Sequence, residues 1–175
     1  QRQMCIRDST SPLGQDPGIK APAPPGSVAA APDHGGEGVW LVDFAKAKAQ
    51  SAKEGKPILM EFTGSDWCPP CKALHKNVLT SDVFKAQMPK RFILLKLDNP
   101  RDKSKQSKEE IAQYPKLAAQ YKVTGVPMII LADEQGRPFA KLSGYGGVAA
   151  EKYVADLTKK NGIRTIRDAA FAKAA

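Results

Sequence analysis

The sequence predicts an α/β sandwich, a central mixed sheet with helices on both faces. Two strand-length apolar runs, Ile58–Thr63 and Phe92–Leu97, are separated by helical patterns, which reads as a parallel strand–helix–strand unit. Two further runs, 128–132 and 137–143, meet across Asp133-Glu134-Gln135-Gly136, a hairpin signal. Helix formers bounded by caps and breakers fill the remaining intervals. No segment repeats with a period of roughly 20–50 residues. No apolar stretch approaches the length of about 18 residues that a membrane-spanning helix needs.

At 175 residues and 42% hydrophobic, the chain predicts one domain with appendages. Residues 1–10 contain Arg2-Gln3-Met4-Cys5-Ile6-Arg7-Asp8-Ser9, which resembles translated read-through of a transposase-type sequencing adapter. They are set aside as an assembly artefact that replaces the true N-terminus, Cys5 included. Residues 11–38 are rich in Pro, Gly and Ala without aromatic residues or periodicity, and read as a disordered linker in which His34 is an ordinary linker residue.

The domain is expected over residues 39–160. Leu41, Phe44, Ala47 and Ala52 suggest an amphipathic helix ended by Gly55 and Pro57. The first strand, about 58–63, leads to a helix over 69–77. Thr80 or Ser81 can cap a stretch through Phe84 and Met88 that stops before Pro89. The second strand follows at Phe92. Asn99 to Lys108 reads as a solvated polar insertion in preference to a partner-binding loop. Helix resumes around Ile111 and, after Pro115, runs through Leu117 and Tyr121, and a last helix spans about 148–160 with core residues Tyr153, Val154 and Leu157. Gly162 follows that helix, and the C-terminal tail, residues 161–175, reads as a short frayed helix over 163–175.

The chemistry centres on Trp67-Cys68-Pro69-Pro70-Cys71, between the first strand and its helix. A thiol at a helix N-terminus meets unpaired N–H groups and the positive end of the helix dipole, so its thiolate is favoured. A second cysteine three residues on lies one turn along, within bridging reach. Cys68 is therefore expected to be the nucleophile, nearer the surface, and Cys71 the shielded resolving thiol of a disulfide exchange. Lowering a thiol pKa from about 8.5 to about 7 takes roughly 2 kcal/mol, within reach of a helix terminus. The net gain in attack rate is small, because nucleophilicity falls with pKa, so the site tunes redox poise more than speed. Pro69 and Pro70 suit the first helical turn but remove two N–H donors to the Cys68 sulfur, which predicts a more reducing couple. A static bridge is the bland alternative, disfavoured because so small a loop removes little unfolded-state entropy. Glu61 interrupts a strand that reads as buried, where an acid can keep a raised pKa and relay protons to Cys71; the alternative has it facing solvent. Asp66, beside Trp67, is a weaker second candidate for that acid and reads more readily as exposed loop chemistry.

These residues carry a resemblance. Trp67-Cys68-Pro69-Pro70-Cys71-Lys72 after a strand, with Gly125-Val126-Pro127 before the apolar Met128-Ile129-Ile130-Leu131, resembles the thioredoxin-fold thiol–disulfide oxidoreductases over about residues 40 to 160. Phe62-Thr63-Gly64-Ser65-Asp66-Trp67-Cys68 is similar to a bacterial, often exported, branch of that family. The resemblance implies a thioredoxin-like three-layer sandwich, a cis Val126–Pro127 bond with Pro127 beside the disulfide, and a Val126 backbone that pairs with extended substrate. It also implies that Gly144 and Tyr145 border the substrate groove, with Trp67, Pro69 and Pro70 on its wall. The spacing from acid to cysteine is one residue longer than in thioredoxin.

The charge balance is 27 basic to 18 acidic residues, net +9. The lysines are spread rather than gathered in a stripe with aromatic residues, which argues against nucleic acid and fits acidic protein partners or anionic membrane surfaces. Metal handling is the second functional class: Cys68, Cys71 and His75 have knuckle-like spacing, but a second ligand pair for zinc is absent, which leaves two-thiolate copper(I). The expected protein is an exported, monomeric disulfide oxidoreductase without bound cofactor, its partners protein thiols and disulfides and an unidentified redox partner.

Overall fold

The computed structural model describes residues 40–174, so the adapter-like residues 1–10 and the linker expected over 11–38 lie outside the described residues. Five strands and five helices follow in the order β1 (Trp40–Leu41), α1 (Phe44–Glu54), β2 (Ile58–Thr63), α2 (Pro69–Leu74), α3 (Asp82–Arg91), β3 (Ile93–Asp98), α4 (Lys108–Gln120), β4 (Met128–Ala132), β5 (Pro138–Ser143) and α5 (Ala150–Ala174). A π-helical turn, His75–Leu79, continues α2.

The sheet order is β1-β3-β2-β4-β5. β2 runs parallel to β3 and antiparallel to β4, which forms the expected hairpin with β5. The three central strands alternate their side chains between two cores, as the period-two pleat requires. Leu59, Leu94, Ile129 and Leu131 meet α2, the π-helical turn, α3 and α5; Ile58, Met60, Phe62, Leu95 and Ile130 meet α1 and α4. The predicted α/β sandwich is the observed fold.

Several boundaries moved for identifiable reasons. Leu41 leaves the first helix and, with Trp40, joins β3 as a short edge strand, and Asp43 caps α1 through the Lys46 N–H. Pro89 and Pro115 lie inside α3 and α4 rather than bounding them. The last helix does not stop near 160. It continues through Gly162 to Ala174, where Arg164 bonds Glu134 (2.5 Å) and Arg167 bonds the buried Asp133 (2.7 Å). Long-range ion pairs to the β4–β5 turn thus outweigh the propensity cost of about 1 kcal/mol for one helical glycine.

Candidate redox site

β2 delivers the chain to the site, and the turn after it is built from backbone bonds. The Cys68 N–H donates to the Gly64 carbonyl (3.0 Å), and the Lys72 N–H donates to the Cys68 carbonyl (3.1 Å), which starts α2. Cys68 is the N-cap, and its sulfur accepts from the Cys71 N–H at 3.2 Å. With prolines at the two intervening positions, that N–H is the donor the first turn supplies to the sulfur. Cys68 and Cys71 are joined in a disulfide, with Cα atoms 5.2 Å apart.

One expectation is corrected. Cys68 is not the exposed member of the pair: it is 2% exposed against 1% for Cys71. Its chain neighbours Trp67 (38% exposed), Pro69 and Pro70 are exposed, and its sulfur lies 3.7 Å from the Val126 carbonyl oxygen.

Opposite the disulfide, the Val126–Pro127 bond is cis, as the resemblance implied. Pro127 is buried and Val126 half-buried. The Gly144 N–H donates to the Pro127 carbonyl (2.8 Å), so the loop after β5 is hinged on this proline. Gly144 has φ +74°, a backbone region that L side chains rarely adopt. Tyr145 follows, its hydroxyl donating to the Val148 carbonyl (2.9 Å) and its ring edge-on to Tyr153.

Glu61 is buried, 2% exposed, so the solvent-facing alternative is excluded. It shares the face of β2 with Leu59, beneath the layer that carries α2. Burial pushes its carboxyl up to about 7; the Lys96 charge and the Thr63 hydroxyl pull it down and Asp98 pushes it up. Lys96 faces Glu61 in the parallel register, with its ammonium 3.7 Å from Asp98.

Sequence reasoning missed the latch between the site and residues 99–107. Asp66, read as loose loop chemistry, accepts from the backbone N–H groups of Arg101 (2.8 Å) and Asp102 (3.1 Å). The Trp67 indole N–H donates to the Asn99 carbonyl (2.8 Å), and the ring lies so close over Gly64 that a Cβ there would overlap it. The segment expected to be a solvated insertion is thus tied to the active-site loop. These contacts join residues more than thirty positions apart, and no local pattern announces them. Lys96 was more legible, since each of two adjacent apolar strands is interrupted by one charge of opposite sign.

His75 is exposed. Among the described residues, no group of three or more His, Cys, Asp or Glu side chains is arranged to hold a metal ion, and the two sulfurs are bonded to each other. Nothing in the site favours the metal-handling reading.

A mixed sheet with a cysteine pair at the start of the helix after β2, facing a cis-proline, defines a thioredoxin-fold thiol–disulfide oxidoreductase domain. Residues 44–159 match the thioredoxin-like domain family, and the chain belongs to it. It is 37% identical over 109 residues to the disulfide bond reductase DsbH of Chlamydia pneumoniae, a match covering 61% of this chain and 64% of that protein. The chain thus spans just under two thirds of this relative's length. A solved structure of a DsbH oxidoreductase superposes with a TM-score of 0.64 at 29% identity, covering 71% of this chain and 86% of that one. A thioredoxin from Thermus thermophilus shares the fold, with TM-score 0.53 and 17% identity over 69% of this chain and 85% of that one.

Proposed function

We propose that the protein reduces disulfides in other proteins. The single observation that carries this reading is the Cys68–Cys71 pair at the N-terminus of α2, beside the Val126 carbonyl. In the dithiol form the Cys68 thiolate attacks one sulfur of a substrate disulfide. One S–S bond breaks, a substrate thiolate leaves, and a mixed disulfide forms. Cys71 then loses its proton and attacks the Cys68 sulfur, which releases the second substrate thiol and leaves the protein as the disulfide. Two electrons pass from protein to substrate.

Glu61 is the proton acceptor for Cys71 in this reading, since a buried carboxyl held near pH 7 can take and return a proton at working pH. Trp67, Pro69 and Pro70 form one wall of the substrate groove, the Val126–Pro127 backbone pairs with the substrate strand, and Gly144 and Tyr145 close the far side. The reducing direction is supported by the two prolines, which leave one N–H on the Cys68 sulfur, and by the reductase name of the Chlamydia relative. The proposed compartment is extracytoplasmic, in keeping with the exported-type Phe62–Cys68 motif, and the proposed state is a monomer.

The deciding measurement is the reduction potential of the pair in a glutathione or dithiothreitol buffer. A value near the −270 mV of thioredoxin agrees with a reductase, and one near −120 mV overturns the direction. Cys71→Ser should trap mixed disulfides with partners, and a failure to trap any counts against exchange.

A further inference from the structure

The loop hinged on Pro127 opens away from the disulfide onto a basic groove. Gly144 is bonded to Pro127, and the residues after it turn back over α5. Between this loop, the end of β5 and the outer face of α5 lies an open groove of about 710 Å³. Its apolar floor includes Leu142, Tyr145 and Val148, and Tyr145 is pinned there by its hydroxyl and by the Tyr153 ring.

The charges along the groove do not balance. Lys152, Lys159 and Lys160 line it against one carboxylate, Asp156. These four positions fall at i, i+7, i+8 and i+4 along α5, and so share one helix face. Among the described residues, none of the three lysines is engaged in a hydrogen bond or ion pair. Lys141 also lines the groove, but its ammonium donates to the Lys122 carbonyl (3.1 Å) and is not counted.

We propose that this groove docks an acid-rich segment of the substrate protein, close in sequence to the disulfide that Cys68 attacks. The proposal rests on the exchange reading above and adds to it the class of substrate. A strand lying along Val126–Pro127 leaves the site over Gly144 and Tyr145, so its next residues meet the lysines of α5. Carboxylates there gain attraction from three ammonium groups on a partly apolar floor, where charge interactions are stronger than in bulk water. The lysines of α1 and α4 do not substitute, because these helices pack on the other face of the sheet and salt screens over about 8–10 Å.

The test uses two peptides with the same cystine loop, one flanked by four glutamates and one by four glutamines. The expected kcat/KM favours the acidic peptide about ten-fold at low salt. The variant K152E/K159E/K160E should lose that preference. The control K46E/K53E/K116E, with the same change in net charge on exposed lysines of α1 and α4, should keep it. Equal use of both peptides by the unmodified protein, or equal loss in the two variants, overturns the groove. A serine-for-cysteine analogue of the acidic peptide separates the two readings, its binding followed by fluorescence anisotropy. If it binds the unmodified protein and not the groove variant while neither cystine peptide is reduced, the exchange reading fails and the groove stands. If both peptides are reduced at one rate, the exchange reading stands and the groove fails.

Discussion

Two buried carboxylates sit on the same sheet, Asp133 just past the end of β4 and Glu61 within β2 toward the redox end, and their surroundings differ in kind. Asp133, at the β4–β5 turn, is fully buried and saturated. It accepts from the Gln135 and Arg137 N–H groups at 3.0 and 2.8 Å, from Arg137 Nε at 2.8 Å and from Arg167 at 2.7 Å. Burial opposes its ionisation, but these bonds prevail and hold its carboxyl below the usual carboxylate range. Glu61, at the redox end, is equally buried with far less compensation, and burial pushes it up to about 7. One acid is spent on architecture; the other is left able to change charge. Where a carboxylate is bonded on every side, its proton is unavailable to chemistry, so the raised acid marks the working end of the domain.

The largest effect that would test this contrast comes at the structural end. Asp133→Ala leaves Arg137 and Arg167 without their buried partner and should cost about 4 kcal/mol in urea unfolding. The reduction potential of the cysteine pair should not change; a shift in potential would break the separation of the two ends. Next is Glu61. Its folded pKa of about 7 lies above the ordinary value of 4.5, so between those pH values the folded state binds more protons than the unfolded one. Stability is therefore full below about pH 4.5 and falls as pH rises through 7, by about 3 kcal/mol in all. Glu61→Gln should flatten that profile, and should slow the Cys71 resolving step in stopped-flow reduction. An unchanged profile would show that Glu61 does not titrate near 7.

A smaller effect is expected at the latch beside the site. Gly64→Ala forces the Trp67 ring from its place and should cost about 2 kcal/mol, with a change in tryptophan fluorescence as the bond to Asn99 is lost. The smallest is a reference point away from both acids. Ser107→Ala removes half of the capping box at the start of α4 and should cost about 1 kcal/mol with no change in potential.

Much of this was legible in the chain because it depends on neighbours a few positions apart. The apolar runs of β2, β3 and β4, the cap at Ser81 (one of the two candidates, with Thr80) and the Asp133–Gly136 turn are local patterns, and each appears where it was read. The cysteine pair was legible for the same reason, since three residues along a helix set its reach. The Lys152, Lys159 and Lys160 stripe was not, because it becomes a groove only when the loop from Gly144 folds back over α5.

By itself, then, the sequence determined the order of the elements, the apolar runs of the central sheet, and the place and spacing of the reactive cysteines, since periodicity and capping act within one or two turns. Tertiary structure alone decided that Cys68 is buried, that Asp66 and Trp67 hold residues 99–102, and that α5 runs past Gly162 to reach Asp133. It also decided which of two buried acids would keep a movable proton. Burial, and the partners that compensate it, are set by segments far apart in the chain, and they exist only once the chain has closed on itself.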